Sequence, residues 1–565
     1  MIILGISLGH DSGASIFKDD AVKVAINEER LSRKKLHIGY PYLSIEKILE
    51  ISNTKISEID IITIDGKKID PQNFGNELNF ENIQKKILGV FNLDKFILGT
   101  EIGVSFTRFL YNFKNQYEKF KIKKKFIQKG FKGEFKSIEH HYAHAASAYF
   151  SQEKDIGLAI TLDGGGEGYC SHIYKAEKNK LSLLHKVTTY HSLPLYYAYI
   201  TKLIGFTPLR HEGKLLGLAA SGDPEKVEKI LDNYIRFDKN NLQFENIGGY
   251  YFKVFNKLKK DLSNFSREDI AAGIQAHSER LTIEYISAII KKFSFNKKIN
   301  IFLAGGIFAN IKINQKISEI DLVESCYIFP NMGDGGLSTG AVLAEYFSNN
   351  KKNKKIKIDM YLGSSCEQID NETLLSSKLK ILKVDNIYSF IAKELKIGKI
   401  FGIFQGKMEF GPRALGNRSI ICSPQKVEIN EILNQKLKRS DFMPFAPCLL
   451  AEDFEIYFQS KLSVEDFKFM TFTCKTKEIC DVVAPAIVHL DKTARPQTIF
   501  KKDNDFLYNV LTEFKKETGL GMLINTSFNV HEEPIVESYN DAIKSFNESK
   551  LDYLILDGKV IKSLI

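Results

Sequence analysis

The stretch His140-His141-Tyr142-Ala143-His144-Ala145-Ala146 carries the sharpest chemical signal in the chain. Read as a helix, which the following alanines favour, it puts His140 and His144 one turn apart on one face. Two imidazoles so spaced are near enough to share an ion. The same spacing also suits a pair of partly buried, hydrogen-bonded histidines, so the motif alone leaves both readings open. Carboxylates shift the balance. Asp163 ends an apolar run, and Asp334 lies in Gly333-Asp334-Gly335-Gly336. Two imidazoles with one or two carboxylates and open positions suit Fe(II), Mn or Zn. Cysteine is missing from the set, which argues against a closed structural zinc site.

Three glycine-rich segments point to a nucleotide or phosphate. They are Asp163-Gly164-Gly165-Gly166, Gly305-Gly306-Ile307-Phe308-Ala309-Asn310, and Gly333-Asp334-Gly335-Gly336. Without a Cβ, backbone N–H groups in such turns can approach an anion. Gly164, Gly165, Gly305, Gly306, Asn310 and Gly335 are therefore candidates for cofactor binding. Neither a Walker-type Gly-Lys-Ser/Thr motif nor a Gly-x-Gly-x-x-Gly after the first strand occurs, which disfavours P-loop and Rossmann sites.

These residues need elements to hold them. Ile2 to Leu8, Ala14 to Phe17 and Ala21 to Ile26 read as three strands separated by turns. A helix is expected near Ser44 to Glu50 and a strand at Ile59 to Ile64. Ile156 to Leu162 and Ile299 to Ala304 are further apolar strands that end in glycine turns. Strands alternating with helices predict α/β layers. The polar run from Asn349 to Lys355 predicts a linker, after which Ile356 to Leu362 restarts a strand. The organisation expected is a domain over residues 1–348, a linker at 349–356, and a second domain over 357–565.

A chain of 565 residues exceeds one hydrophobic core. The net charge of +10 suits anionic ligands. Much of the excess is local, at Lys119, Lys121, Lys123, Lys124, Lys125 and Lys129 and again at Lys351, Lys352, Lys354 and Lys355. Such runs are ordinarily solvated faces or linkers, so no nucleic-acid partner is expected. The seven cysteines form no Cys-x-x-Cys pair, which reads as reduced thiols in a cytoplasmic protein. The short apolar run at the start lacks a basic leader, and no stretch approaches the roughly 20 apolar residues of a membrane span. No membrane partner is expected, and the oligomeric state, monomer or homodimer, stays open.

The motifs taken together resemble the NodU/CmcH/TobZ-type O-carbamoyltransferases. The resemblance runs nearly end to end. It includes His10-Asp11-Ser12-Gly13-Ala14, Asn27-Glu28-Glu29-Arg30, His140 to His144, Asp163-Gly164-Gly165, Glu212-Gly213-Lys214, Gly305-Gly306 with Asn310, and Gly333 to Gly336. In the second block it includes Phe410-Gly411-Pro412-Arg413-Ala414-Leu415-Gly416-Asn417-Arg418-Ser419, Met443-Pro444-Phe445-Ala446-Pro447, Arg495-Pro496-Gln497-Thr498 and Asn525-Thr526-Ser527-Phe528-Asn529.

The resemblance implies an N-terminal actin/Hsp70-like (ASKHA) domain of two α/β halves, close to the tRNA threonylcarbamoyltransferases, and a C-terminal YrdC-like α/β domain. It implies that the second domain makes carbamoyl-adenylate from carbamoyl phosphate and ATP, with Mg. The first then passes the carbamoyl group to an acceptor hydroxyl of a saccharide or secondary metabolite and releases AMP. Carried over by position, His140, His144 and Asp334 look like ligands of a divalent metal, Fe(II) foremost, with Asp163 a fourth ligand or a group just behind the ligands. His10 looks like the base beside the acceptor. Arg413 and Arg418 look catalytic, and Asn417, Lys438, Arg439, Arg495, Asn525 and Asn529 look like the rest of the second site. Two positions depart from the family pattern. Met443 stands where many members have Arg, and Glu532 where many have Gly.

Arg suits the first step because its planar fork pairs two phosphate oxygens and stays charged. A neutral imidazole at His10 can take a hydroxyl proton near neutral pH, although turn histidines also commonly hold backbone. Three competing readings remain. A tRNA threonylcarbamoyl-type transferase fits the second block less well. A HypF-type hydrogenase-maturation enzyme would need zinc-finger cysteine pairs. An actin-like ATPase or sugar kinase leaves the histidine pair and the second domain without a role.

Overall fold

The computed structural model describes residues 1–65, 93–249, 252–294, 297–349, 354–366, 377–438 and 445–564. Among these the chain divides by its contacts into two units. One comprises Met1–Glu28 and Leu36–Ile358, the other Glu29–Lys35 and Asp359–Ile565. A reading by continuous segments puts all of 1–348 in one piece. By contacts the short stretch Glu29–Lys35 groups with the second unit instead.

The first unit is built on two five-stranded sheets. Strands β1 (Ile3–Ser7), β2 (Gly13–Lys18), β3 (Ala21–Asn27), β4 (Ile61–Asp65) and β5 (Glu134–Ile138) lie in the order β3-β2-β1-β4-β5. β1, β2 and β3 are antiparallel, and β4 and β5 continue parallel to β1. The second sheet contains β6 (Gly157–Gly166), β7 (Tyr169–Glu177) and β8 (Lys180–Thr188). A small hairpin, β9 (Ile235–Asp238) and β10 (Gln243–Asn246), stands apart, and β11 (Ile299–Ala304) and β12 (Val323–Ile328) complete the sheet. Its order, β12-β11-β6-β7-β8, repeats that of the first, with the same mix of antiparallel and parallel pairs. Such a repeated half is the actin/Hsp70-like arrangement expected of this block.

The central strands β1 and β6 are predominantly apolar because both faces are covered. All five residues of β1 are buried. The helix Leu337–Asn349 lies so close over β1 that a Cβ on Gly5 would fall 2.2 Å from the Ser338 carbonyl oxygen. The helix His140–Phe150 packs against the same helix equally tightly. A Cβ on Gly340 would lie 2.0 Å from the Ala143 carbonyl oxygen, and Phe150 stacks on Phe347 at 4.3 Å. The run of small residues in His140–Phe150 permits this approach.

In the second unit one eight-stranded mixed sheet runs in the order Leu379–Leu382, Lys559–Ser563, Tyr553–Leu556, Phe401–Phe404, Arg418–Cys422, Met522–Ser527, Ala446–Leu450 and Gln497–Ile499. Helices Ile387–Lys396, Asp505–Thr518 and Tyr539–Ser549 accompany it, which makes this block α/β as well.

Two expectations need correction. Ile356 to Leu362 is not a strand. Its backbone is claimed by scattered partners rather than a ladder: Ile356 N–H donates to the Phe150 carbonyl, and the Met360 carbonyl accepts from Phe410 N–H. Lys355 is not a solvated linker cation. Its ammonium lies 3.3 Å from the centre of the Tyr149 ring, and burial pushes its pKa down to about 7. Lys351 and Lys352 lie outside the described residues. All seven cysteines are free thiols. No helix among the described residues is long and apolar enough to cross a membrane.

Candidate metal centre and anion site

Three elements of the first unit converge on one buried cluster. Glu139 caps the His140–Phe150 helix by accepting from the Tyr142 N–H, so the helix begins with His140. The imidazoles of His140 and His144 meet edge to face one turn apart, ring centres 4.7 Å from each other and nearly perpendicular. Asp163, near the end of β6, places Oδ2 3.3 Å from His140 Nε2. Asp334 opens the tight turn Asp334–Gly336 ahead of Leu337–Asn349. Its Oδ1 lies 3.4 Å from His144 Nε2 and 3.8 Å from His140 Nε2. One ligand atom from each of the four residues lies within 4.8 Å of every other. His10, in the turn between β1 and β2, brings Nε2 to 3.1 Å from the other oxygen of Asp334, and it alone of the five is partly open to solvent.

The donor set fits a metal. His144 Nε2 is buried, faces a carboxylate and completes no hydrogen bond among the described residues, a costly arrangement for a polar atom unless an ion takes the lone pair. Two imidazoles and two carboxylates match the preferences of Fe(II), Mn and Zn. His141, between His140 and His144 in sequence, is different. Its Nδ1 lies 2.9 Å from the Thr161 hydroxyl and its Nε2 2.9 Å from the Tyr169 carbonyl. Burial pushes its pKa down. A neutral ring donating from Nε2 and accepting at Nδ1 satisfies both partners, so His141 secures the helix to the sheet.

The glycines serve this cluster closely. A Cβ on Gly166 would lie 2.1 Å from His140 Cδ2. Gly305 holds φ 121°, in the left-handed region, and its N–H donates to the Met332 carbonyl. Gly306 N–H donates to Asp163 Oδ1 at 3.0 Å. Both N–H groups are therefore already bonded within the protein, that of Gly305 to a backbone carbonyl and that of Gly306 to the Asp163 carboxylate. Gly335 packs against Asp11, Asn331 and Asn27. Asn310 caps the helix Ile311–Ser318 and donates to Gln275 Oε1. Gly164, near the end of β6, has room beside it, as do Gly333 and the helical Gly213 and Gly217.

In the second unit the segment from Gly411 to Arg418 wraps a residue that sequence reasoning did not single out. Glu409 is buried, and its Oε1 accepts from the N–H groups of Leu415 (2.7 Å), Asn417 (2.8 Å) and Arg418 (3.2 Å). A lone carboxylate inside Met408-Glu409-Phe410 is the signal that would have found it. Arg418 is fully buried. Its guanidinium donates to the carbonyls of Gln405, Gly406, Asn417 and Ser364 and lies 3.9 Å over the Phe404 ring. Burial lowers its pKa. Asn417 bridges the Lys407 carbonyl and Asn504. Arg413 is half-buried, and among the described residues no acceptor meets its guanidinium, whose pKa burial pushes down.

Asn525 donates to the Ala414 carbonyl and Gln497, and its buried Oδ1 has no hydrogen bond among the described residues. Asn529 accepts from Ser527 and donates to the Val530 and Glu533 carbonyls, bracing the turn that contains Glu532. That turn explains one departure from the family pattern. Glu532 has φ 67°, a conformation that costs glycine nothing. Arg495 is half-buried. Lys438 is exposed, 4.0 Å from Glu548. Arg439 and Met443 lie outside the described residues.

Comparison with known proteins adds an independent line. The family model described as Carbamoyltransferase N-terminus matches residues 2–343, and that described as Carbamoyltransferase C-terminus matches residues 392–563. An uncharacterized protein of Methanocaldococcus jannaschii is 32% identical over the full length of both chains. The nodulation protein NolO of Bradyrhizobium diazoefficiens is 30% identical, over 75% of this chain and 79% of its own. The nodulation protein NolNO of Sinorhizobium fredii is 27% identical, over 98% of this chain and 79% of its own.

Proposed function

This chain belongs to the carbamoyltransferase family, and from that premise we propose that it is an ATP-dependent O-carbamoyltransferase acting on a small-molecule hydroxyl, of a saccharide or a secondary metabolite. The observation that carries the reading is the buried set His140, His144, Asp163 and Asp334 with His10 3.1 Å from Asp334.

The first step belongs to the second unit. Carbamoyl phosphate and ATP give carbamoyl-adenylate, with phosphate and pyrophosphate released and one water consumed. Arg413 supplies a charged fork that meets no acceptor among the described residues, suited to a phosphate group. Arg418 and Glu409 act one layer below. They hold the loop that presents Arg413, one through backbone carbonyls and the other through backbone N–H groups.

The second step belongs to the first unit. The carbamoyl carbon leaves AMP and bonds to the acceptor oxygen, while the hydroxyl proton passes to the His10 imidazole. The Asp334 carboxylate beside His10 orients the ring and stabilises the imidazolium that forms. His140, His144, Asp163 and Asp334 would hold the metal, with Fe(II) the first choice and Mn or Zn alternatives. When bound, such an ion stabilises charge developing on a phosphate or carbonyl oxygen.

Because the two steps use separate residues, they are separable by mutation. His144→Ala should abolish carbamoyl transfer while retaining pyrophosphate release from ATP in the presence of carbamoyl phosphate. Loss of both steps in a folded His144→Ala protein would contradict this division.

A further inference from the structure

One buried side chain beside the metal cluster has no role in the steps above, yet it ties three of the turns that form the cluster. Asn27 ends β3 and is 4% exposed. Its Nδ2 donates to the carbonyls of Asp11 (3.3 Å) and Gly335 (3.1 Å), and its Oδ1 accepts from Asn331 Nδ2 (3.1 Å). Asp11 follows His10, Gly335 follows Asp334, and Asn331 stands in the turn that leads from β12 to Asp334. A single amide thus closes the β1–β2 turn onto the Asp334 turn.

The packing around this amide leaves little slack. Gly13 pairs with Asn27 across β2 and β3, and a Cβ there would lie 3.1 Å from Asn27 Nδ2. A Cβ on Gly335 would lie 2.5 Å from Asp11 Oδ2 and 2.9 Å from Asn27 Nδ2. Asp11 holds φ 54°, a strained setting for a residue with a Cβ that needs support from its surroundings. The position requires two donated hydrogen bonds and one accepted, all from one planar group. An amide meets that demand and a carboxylate cannot.

We propose that Asn27 is a positioning residue for carbamoyl transfer, its amide fixing the separation of His10 from Asp334 and hence the direction in which Asp334 presents its carboxylate to the metal. The inference rests on the metal reading given above. Groups one layer outside a metal's ligands typically change its affinity about 10–100-fold when removed.

Cobalt(II) is the probe, because its visible absorption reports ligand geometry without turnover. The wild-type chain should bind one Co(II), and His144→Ala should lose the band. Asn27→Asp keeps the acceptor for Asn331 but sets an oxygen against two carbonyls. It should bind Co(II) about 10–100-fold more weakly and with a shifted band, while its far-ultraviolet dichroism stays that of the wild type. Asn331→Ala, which removes only the donor to Asn27 Oδ1, should move affinity and band in the same direction by less, and it serves if Asn27→Asp does not fold. Wild-type affinity and spectrum in the folded Asn27→Asp protein, or in Asn331→Ala where that variant serves, would overturn the role of Asn27. Absence of Co(II) binding to the wild type, or unchanged binding in His144→Ala, would instead overturn the metal reading and the inference resting on it.

Discussion

At the residue scale, the two arginines of the Arg413–Arg418 loop separate by what surrounds them. Arg418 has its guanidinium closed over by backbone carbonyls and an aromatic ring, whereas Arg413 meets no acceptor among the described residues. Removing Arg418 strands several buried carbonyls, at a cost of about 3 kcal/mol or more. Arg418→Ala should therefore lower the unfolding midpoint steeply. Arg413→Ala should leave the midpoint near wild type and suppress pyrophosphate release. Equal midpoints for the two variants would contradict the assignment. Sequence alone could not make this distinction, because both arginines sit in the same turn-rich motif and differ only in which way they face. The histidine pair was legible because an i, i+4 spacing on a helix has a single geometric meaning.

Buried histidines also make stability depend on pH. His277 is enclosed, and burial pushes its pKa from the ordinary 6.5 down to about 4 despite Asp232 at 3.3 Å. Below pH 6.5 the unfolded chain takes up a proton that the folded chain refuses. Stability is thus full above that pH and falls as pH drops toward 4, by up to about 1.4 kcal/mol per pH unit for this group. His185 and His191 are shifted the same way by burial. Denaturant unfolding between pH 7 and pH 4.5 should show the loss, and His277→Gln should show a shallower one. Identical slopes would count against a neutral His277.

At the element scale, the proposed metal centre depends on how closely helix His140–Phe150 approaches helix Leu337–Asn349. A methyl group on Gly340 has no space, since its Cβ would meet the Ala143 carbonyl oxygen at 2.0 Å. Gly340→Ala should destabilise the first unit by about 1–3 kcal/mol and weaken metal binding together, because one helix carries both histidines and the other follows Asp334. A folded Gly340→Ala protein with unchanged metal affinity would show that this contact does not set the cluster. The strands were largely readable, since β1, β6 and β11 are mostly buried and so carry predominantly apolar residues. Ile356 to Leu362 alternates apolar residues with Lys357 and Asp359 as an edge strand would, yet it finds no ladder to join. Residue types report burial, and a neighbouring strand is a matter of tertiary placement. The glycine turns were read as phosphate cradles, yet at Gly305 and Gly306 the N–H groups turn to Met332 and Asp163. Composition marks a tight turn but not the direction its donors face.

At the scale of the whole molecule, two α/β units divide the chemistry proposed here. Within the second, Glu29–Lys35 is held by Arg30, which donates to the Gly411 carbonyl, and by Arg33, which donates to the carbonyls of Pro534 and Ile535 and lies 3.3 Å from Asp541. A segment so early in the chain could not be placed there from sequence, because nothing local marks a partner several hundred residues away. The central claim is that the second unit activates a carbamoyl group as its adenylate. Its direct test is to incubate the full chain with ATP, Mg and carbamoyl phosphate, and to follow pyrophosphate together with the adenylate by mass spectrometry. The account predicts carbamoyl-adenylate and pyrophosphate only when both substrates are present. Production of ADP without dependence on carbamoyl phosphate, with no adenylate formed, would contradict it.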